Sequence, residues 1–240
     1  MITKKRKKEL LDKSKNFFKE VIAKNHLDNT KKLTTLNQFK VNPFLANYLA
    51  NFLTGDSSPE SIARVLIYGR VLATSINTSF GTNMQKFCSE VLSGRGSVAS
   101  GIDLEYIDAL DGRKKYCQVK VGPQTINKDD VKTITDHFSQ VRRLARTNNL
   151  ALQHDDLVVG ILYGEENELS QNYKKLANNF VVLSGKSFWL HFTGDSKFYI
   201  ELVKVFAEVA EESDARKVLN KTIKALARDI REKGDFVGLI

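Results

Sequence analysis

A change of hydrophobic period near residue 100 constrains this chain more than any other feature. Ile102 to Leu110 and Lys114 to Val121 alternate apolar and polar residues around Asp111-Gly112. That dipeptide favours the two-residue turn of a β-hairpin. With such a turn, Leu110 faces Arg113, Asp103 opposes Lys120 and Glu105 opposes Gln118. Opposed residues of an antiparallel pair point to the same side, and sides alternate along each strand. Asp103, Glu105, Gln118 and Lys120 are therefore expected on one face. Ile102, Leu104, Tyr106, Cys117, Val119 and Val121 are expected on the other, packed against a helix. A one-residue slip would break the grouping.

The residues before the hairpin have helical spacing. Leu10, Leu11, Phe17, Phe18, Val21 and Ile22 predict a helix over Lys7 to Ala23. Asn25 to Val41 is polar and reads as irregular. Asn42-Pro43 opens a helix over Phe44 to Leu53, with proline where its missing N–H costs nothing. Ser57-Ser58-Pro59-Glu60 starts another that runs toward Ile76, and a further one covers Thr82 to Leu92. After the hairpin come a helix marked by Val131, Ile134, Phe138, Val141 and Leu144, and a buried strand over Leu157 to Tyr163. A helix over Leu169 to Asn179 and a strand over Phe180 to Leu183 follow, then helices over Tyr199 to Glu212 and Ala215 to Arg231. The expectation is an α/β (α+β) fold, a small mixed sheet flanked by helices. With three prolines and no repeat or low-complexity stretch, residues 1–240 read as one domain. Residues 1–77 would form a helical part, 78–200 the core and 201–240 the closing helices.

Composition narrows the function. The chain is 42% hydrophobic and 27% charged, as expected of a globular protein and not of a disordered one. Two cysteines exclude a disulfide scaffold or a cysteine-rich zinc module. The longest apolar runs are far shorter than a membrane span, and the basic start, Lys4 to Lys8, lacks the apolar stretch of a secretory signal. A cytoplasmic, prokaryotic setting is the expectation. A net charge of +9 and a pI of about 9.4 point to an anionic partner, most often nucleic acid.

The polar face of the hairpin carries chemistry suited to such a partner. Two carboxylates and an amide carbonyl are hard oxygen donors of the kind Mg²⁺ takes. An ammonium beside them would hold a water and stabilise charge developing on a phosphodiester. The same pattern also fits a solvated sheet face with one Asp–Lys cross-strand pair.

Asp103 followed by Gln118-Val119-Lys120 resembles the signature of the PD-(D/E)XK nuclease superfamily, with Gln118 where Asp or Glu is usual. Asn42-Pro43-Phe44, Ser79-Phe80-Gly81, Asp111-Gly112-Arg113, Val159 to Gly164 and Gly185 to Trp189 extend the resemblance. They are similar to type II restriction endonucleases of the TdeIII/MjaII kind, which recognise GGNCC, and to relatives that recognise RGGNCCY. The likeness runs from about Asn42 to Leu190. It implies a restriction-endonuclease-like core in which Asp103 and Gln118 bind Mg²⁺ and Lys120 is the catalytic lysine. The neutral amide at Gln118 gives the metal one negative charge less, which Glu105 or a carboxylate on the preceding helix would make good. Glu90 is the first candidate there, with Gln85 second as an oxygen donor. The resemblance further implies a homodimer on a palindromic double-stranded site, and a companion DNA methyltransferase that protects the host.

Around this centre, Arg95 precedes the Asp103 strand and would meet the scissile backbone. Gln124, Thr125, Asn127 and Lys128 leave the Lys120 strand and enter a helix whose N-terminus suits a phosphate. Asn127 reads equally well as a helix cap. Arg142, Arg143 and Arg146 read as a solvated face, and the basic N-terminus as a DNA arm or a frayed end. Four scattered histidines lack zinc-site spacing. Two rival readings remain: a structure-specific or repair nuclease of the same superfamily, and a non-catalytic basic DNA-binding protein.

Overall fold

The computed structural model describes residues 2–93 and 100–233. The chain divides into two compact units. One comprises Met1–Phe17 and Met84–Phe206, the other Phe18–Asn83 and Ala207–Ile240. Among the described residues no helix is long and apolar enough to cross a membrane.

Helices dominate the first hundred residues. α1 (Lys4–Phe17) runs through a wide-turn π segment, Phe18–Ala23, into α2 (Lys24–Lys31). α3 (Pro43–Thr54) and α4 (Pro59–Tyr68) follow. A second π segment, Gly69–Ser75, leads from α4 into α5 (Ile76–Phe87), and a third spans Cys88–Ser93. The stretch expected to be irregular is thus helical as far as Lys31. Tertiary contacts outweigh its weak propensity there: the His26 ring lies 3.0 Å from Val71 O, and Thr30 is buried. The basic N-terminus is ordered helix, not a frayed end. Lys7 forms ion pairs of 2.7 Å with both Asp195 and Glu201.

In the second unit, α4 packs against α3 and α10 (Ala215–Lys233). Leu33, Ala50, Ile62, Ile67, Ile223, Leu226 and Ile230 form its core. Asn42 caps α3 by accepting from the Phe44 and Leu45 N–H groups, and Gly55 ends it in the left-handed conformation.

The first unit holds a four-stranded sheet in the order β1 (Leu104–Ile107), β2 (Lys114–Lys120), β3 (Leu157–Ile161), β4 (Val181–Ser184). β1 and β2 are antiparallel; β2, β3 and β4 run parallel. The parallel links are made by α6 (Lys128–Thr147) and α7 (Gln171–Ala177). α8 (Gly185–Thr193), absent from the sequence reading, follows β4 directly, and α9 (Phe198–Glu211) leads on to α10. The architecture is the mixed sheet flanked by helices that the sequence predicts.

β2 is covered on both sides. Ile134 and Phe138 of α6 pack with Tyr116, Leu157, Val159 and Ile161 on one face. On the other, Gly160 lets Phe188 and Cys117 approach so closely that a methyl group there would lie 2.5 Å from the Phe188 ring.

The hairpin corrects one expectation. Leu104 pairs with Cys117 and Ile107 with Lys114, a shift of two residues from the two-residue-turn register. Six residues, Asp108 to Arg113, make the connection. Asp108 Oδ1 accepts the Leu110 N–H and Asp111 Oδ1 the Arg113 N–H, both at 2.8 Å. These side-chain bonds stabilise a longer turn than the Asp-Gly pair alone would make. An even shift keeps every side chain on its face, so Glu105, Gln118 and Lys120 remain on one side, but Asp103 is level with Gln118 instead of Lys120. Ile102 precedes the regular strand and packs in the α6 cluster, on the side opposite to the one expected.

Lys115 and Asp156 are buried together beneath this turn. Asp156 takes two hydrogen bonds from the Arg113 guanidinium, and its Oδ1 lies 3.4 Å from the Lys115 ammonium, which also reaches Asp111 at 2.5 Å. Burial pushes the Asp156 carboxyl upward, but the Arg113 hydrogen bonds and the Gln153 N–H outweigh it and leave it below the ordinary carboxylate range. A carboxyl depressed on folding stabilises the fold above its unfolded pKa and ceases to do so as pH falls through the folded value. Asp156→Asn leaves Lys115 with a weakened partner set and is expected to cost about 3 kcal/mol at neutral pH, while flattening the acid limb of the stability–pH curve. Urea denaturation across acid to neutral pH measures both.

Candidate active site

The C-terminal half of β2 carries Gln118 and Lys120 on one face, two residues apart. The Asp103 carboxylate lies beside the backbone between them: its Oδ2 accepts the Val119 N–H at 2.8 Å. Asp103 is also close enough to both buried thiols, Cys88 and Cys117, for its charge to add to the burial that raises them. Both thiols therefore stay protonated at neutral pH and are not nucleophiles.

Gln118 is buried and spends its amide nitrogen inward. Nε2 lies 2.7 Å from Gly101 O and 2.6 Å from His137 Nδ1. A carbonyl can only accept, so the nitrogen end of the amide must face Gly101. His137 Nδ1 then accepts the second N–H and carries its own proton on Nε2. Only Oε1 of Gln118 can act as a donor to a cation. Gly101 has φ +79, and a Cβ there would lie 2.4 Å from the His137 ring. Glycine is thus required both by the backbone and by the ring. The amide anchors the backbone two residues before Asp103.

Lys120 is half-buried, and its Nζ lies 3.5 Å from Asp130 Oδ1 on the first turn of α6. Asp130 also closes the capping box, accepting the Asn127 N–H at 2.9 Å while Asn127 Oδ1 accepts the Asp130 N–H at 2.9 Å. Asp130 and His137 were missed in the sequence. Asp130 had a legible signal, a carboxylate three residues after the cap Asn127; His137 had none, because its role depends on α6 lying over β2.

The remaining candidates lie in ordinary surroundings. Glu105 Oε2 pairs with Lys114 across the hairpin at 2.6 Å. Glu90 is exposed and lies 3.7 Å from Lys86 one helical turn earlier. Thr125 donates to Gly122 O at 2.9 Å and closes the turn after β2. Gln124 is exposed, with Nε2 3.5 Å from Glu168 O. Lys128 is exposed at the start of α6. Arg142 lies over the Phe180 ring. Arg95 and the Gln85 side chain lie outside the described residues. Among the described residues, no three His, Cys, Asp or Glu side chains gather as a metal cage.

A sheet of this topology with a polar cluster on its second strand invites comparison with known nucleases. The family model of the type II restriction endonuclease EcoO109I matches residues 9–214. The chain belongs to this family. No curated protein matches it. Membership of the EcoO109I family makes the chain a type II restriction endonuclease, with DNA as its substrate. The matched region takes in the whole sheet, with Gln118 and Lys120 on β2, and Asp103 just before β1.

The geometry at Gln118 has a consequence. Glutamate there would turn a carboxylate oxygen toward Gly101 O and leave His137 without its donor. Gln118→Glu is therefore expected to destabilise this EcoO109I-family protein by about 2 kcal/mol in metal-free buffer. At this size that corresponds to a fall of roughly 4–8 °C in the thermal midpoint, measurable by circular dichroism.

Proposed function

We propose that the chain is a Mg²⁺-dependent restriction endonuclease of the PD-(D/E)XK kind, acting as a homodimer on a short palindromic site with a GGNCC-like core. The observation that carries this reading is the Asp103 carboxylate held on the Val119 N–H, between Gln118 and Lys120. The donor set fits the metal. A carboxylate oxygen that accepts one N–H keeps a further lone pair, and the Gln118 carbonyl is a second hard oxygen. Asp103 and Gln118 would hold the ion, which when bound would polarise the scissile phosphate.

The chain's own residues supply the rest. Lys120 Nζ donates a hydrogen bond to the attacking water, orients it toward phosphorus and faces the negative charge that builds on the phosphate. Asp130 keeps the ammonium in place. Gln118 contributes no charge, so the site carries one negative charge less than the usual acidic pair. Glu105 or Glu90 would make it good only by leaving Lys114 or Lys86.

Gln124, Thr125, Asn127 and Lys128, which follow β2, are the proposed DNA contacts, together with Arg95. Lys128 suits a phosphate, whereas the first turn of α6 carries Asp129 and Asp130, and Asn127 and Thr125 already serve the backbone. Guanines of a GG/CC half-site would be read through O6 and N7 by arginine or lysine. A two-fold dimer places one such site on each strand of a palindrome. A host carrying this enzyme needs a methyltransferase of the same specificity.

Digestion of a fully sequenced phage DNA with Mg²⁺, followed by sequencing of the fragment ends, tests the proposal. Discrete fragments sharing a GGNCC-containing end are expected, and Lys120→Ala should slow cleavage roughly 10²–10⁴-fold. A smear lost in the variant would instead indicate a structure-directed nuclease. Binding without cutting in any divalent metal would leave a DNA-binding protein.

A further inference from the structure

The segments that follow β3 and β4 enclose a cavity of about 580 Å³ that the proposed catalytic residues leave unused. Gly164, Glu165 and Glu166 line it from the β3 side, and Ser184, Lys186 and Ser187 from the β4 side. Its place in the sheet ties it to Lys120. Lys120 is in register with Ile161, and Ile161 with Ser184. Ser184 therefore lies two strands from Lys120, roughly 10 Å at the usual strand spacing. The strand ends are also locked together. A Cβ at Gly185 would collide with Gly164 O, and one at Gly164 with the Pro123 ring just after β2. Glycines at these positions, with φ +46 and +97, hold the three segments at a fixed offset.

We infer that this cavity reads a G·C base pair in the major groove of the substrate DNA, with Lys186 donating to guanine and Glu165 and Glu166 accepting from cytosine. The inference rests on the GG/CC reading proposed above and assigns residues to it. Three observations select a base edge as the ligand.

The first is charge. Glu165, Glu166 and Glu168 line the cavity against a single ammonium, Lys186, so the sugar-phosphate backbone would be repelled. Base edges carry no charge. A metal ion does not fit either. Glu168 accepts the Glu165 N–H at 2.7 Å, Glu165 lies 3.8 Å from Lys186, and among the described residues no three carboxylates converge on one point.

The second is the pattern of donors and acceptors. In the major groove guanine offers O6 and N7 as acceptors, and cytosine its N4 amino group as a donor. An ammonium beside a carboxylate complements that pair. Adenine places its N6 amino group where guanine has O6, so Lys186 would meet a donor there. The Lys186 and Glu165 side chains are 64% and 71% exposed, and an exposed pair at 3.8 Å is weak enough to open for a base.

The third is Ser184. It is 8% exposed, yet its hydroxyl makes no cap bond to α8 and has no other partner among the described residues. Buried hydroxyls are normally paired. This one lines the cavity, where a ligand would supply the missing partner. The distances agree as well. The major groove is about 8.5 Å deep, close to the span from Lys120 to Ser184, so a phosphate at one and a base edge at the other fit one duplex.

Selection of bound duplexes from a random-sequence library, with Ca²⁺ in place of Mg²⁺, tests this through binding alone. The wild type is expected to enrich a motif that contains G·C pairs. Lys186→Ala should lose the preference at one of those pairs by roughly 5–150-fold and leave binding to random duplex unchanged. Glu165→Ala with Glu166→Ala should relax the same pair. All three side chains are exposed, and circular dichroism would show an unchanged fold. A variant that enriches the wild-type motif with undiminished selectivity overturns the inference. So does an equal loss on every duplex, the mark of a phosphate contact, or a wild type that enriches no motif. A wild-type motif other than GGNCC, or selection without cutting in Mg²⁺, would contradict the proposed function and leave the cavity's role standing.

Discussion

Strand β2 is covered on both faces, and that constraint organises the first unit. A polar side chain on such a strand must find partners, since leaving one unpaired costs about 1–3 kcal/mol. β2 nevertheless carries Lys115, Gln118 and Lys120, and each has a distinct solution. Lys115 shares Asp111 and Asp156 with Arg113 under the turn. Gln118 bonds to Gly101 and His137. Lys120, nearest the open end, has Asp130 at 3.5 Å and remains half-buried. The polarity of the strand therefore rises in availability from the hairpin to its C-terminal end. Ligands of parallel sheets are bound at this end, where the backbone leaves the layer and helices begin.

Gln118 links fold to chemistry. In the nuclease signature that Asp103 and Lys120 resemble, this position usually carries a carboxylate. Here the amide ties together the backbone leading to Asp103, the central strand and helix α6. Exchanging a metal-binding acid for an amide trades charge at the site for two N–H donors that fix the approach to Asp103. On this view Asp103 is placed from two directions, by the Gln118 anchor behind it and by the Val119 N–H beside it. A site with less charge of its own depends more on such placement, because a misplacement of about 1 Å can cost roughly a hundredfold in rate.

Much of this was legible in the residues. The alternation around Asp111-Gly112 places Glu105, Gln118 and Lys120 on one face even though the turn is longer than that dipeptide suggests, because the register differs by an even number of residues. Asn42-Pro43 and Ser58-Pro59 marked helix starts that the structure keeps. Other features were not legible. The continuous helical runs pass through three π segments, which have no sequence signature. α2 is tied to its own unit by contacts such as His26 with Val71, distant in sequence. α8 was hidden by Gly185, which reads as a breaker but adopts φ +46 at the start of the helix. At the site, Asp103, Gln118 and Lys120 came from the motif, whereas His137 came only from the packing of α6 on β2.

The central claim is that Asp103 and Gln118, beside Lys120, form the divalent-metal centre. Loading the protein with Fe²⁺ in place of Mg²⁺ and adding ascorbate and peroxide tests it directly, because the radicals formed cut the backbone next to the ion. Mass spectrometry of the fragments should locate the cuts within residues 102–105 and 117–121, and Asp103→Asn should abolish them. Cuts that persist in the variant, or that fall in the acidic loop at residues 165–168, would contradict the account.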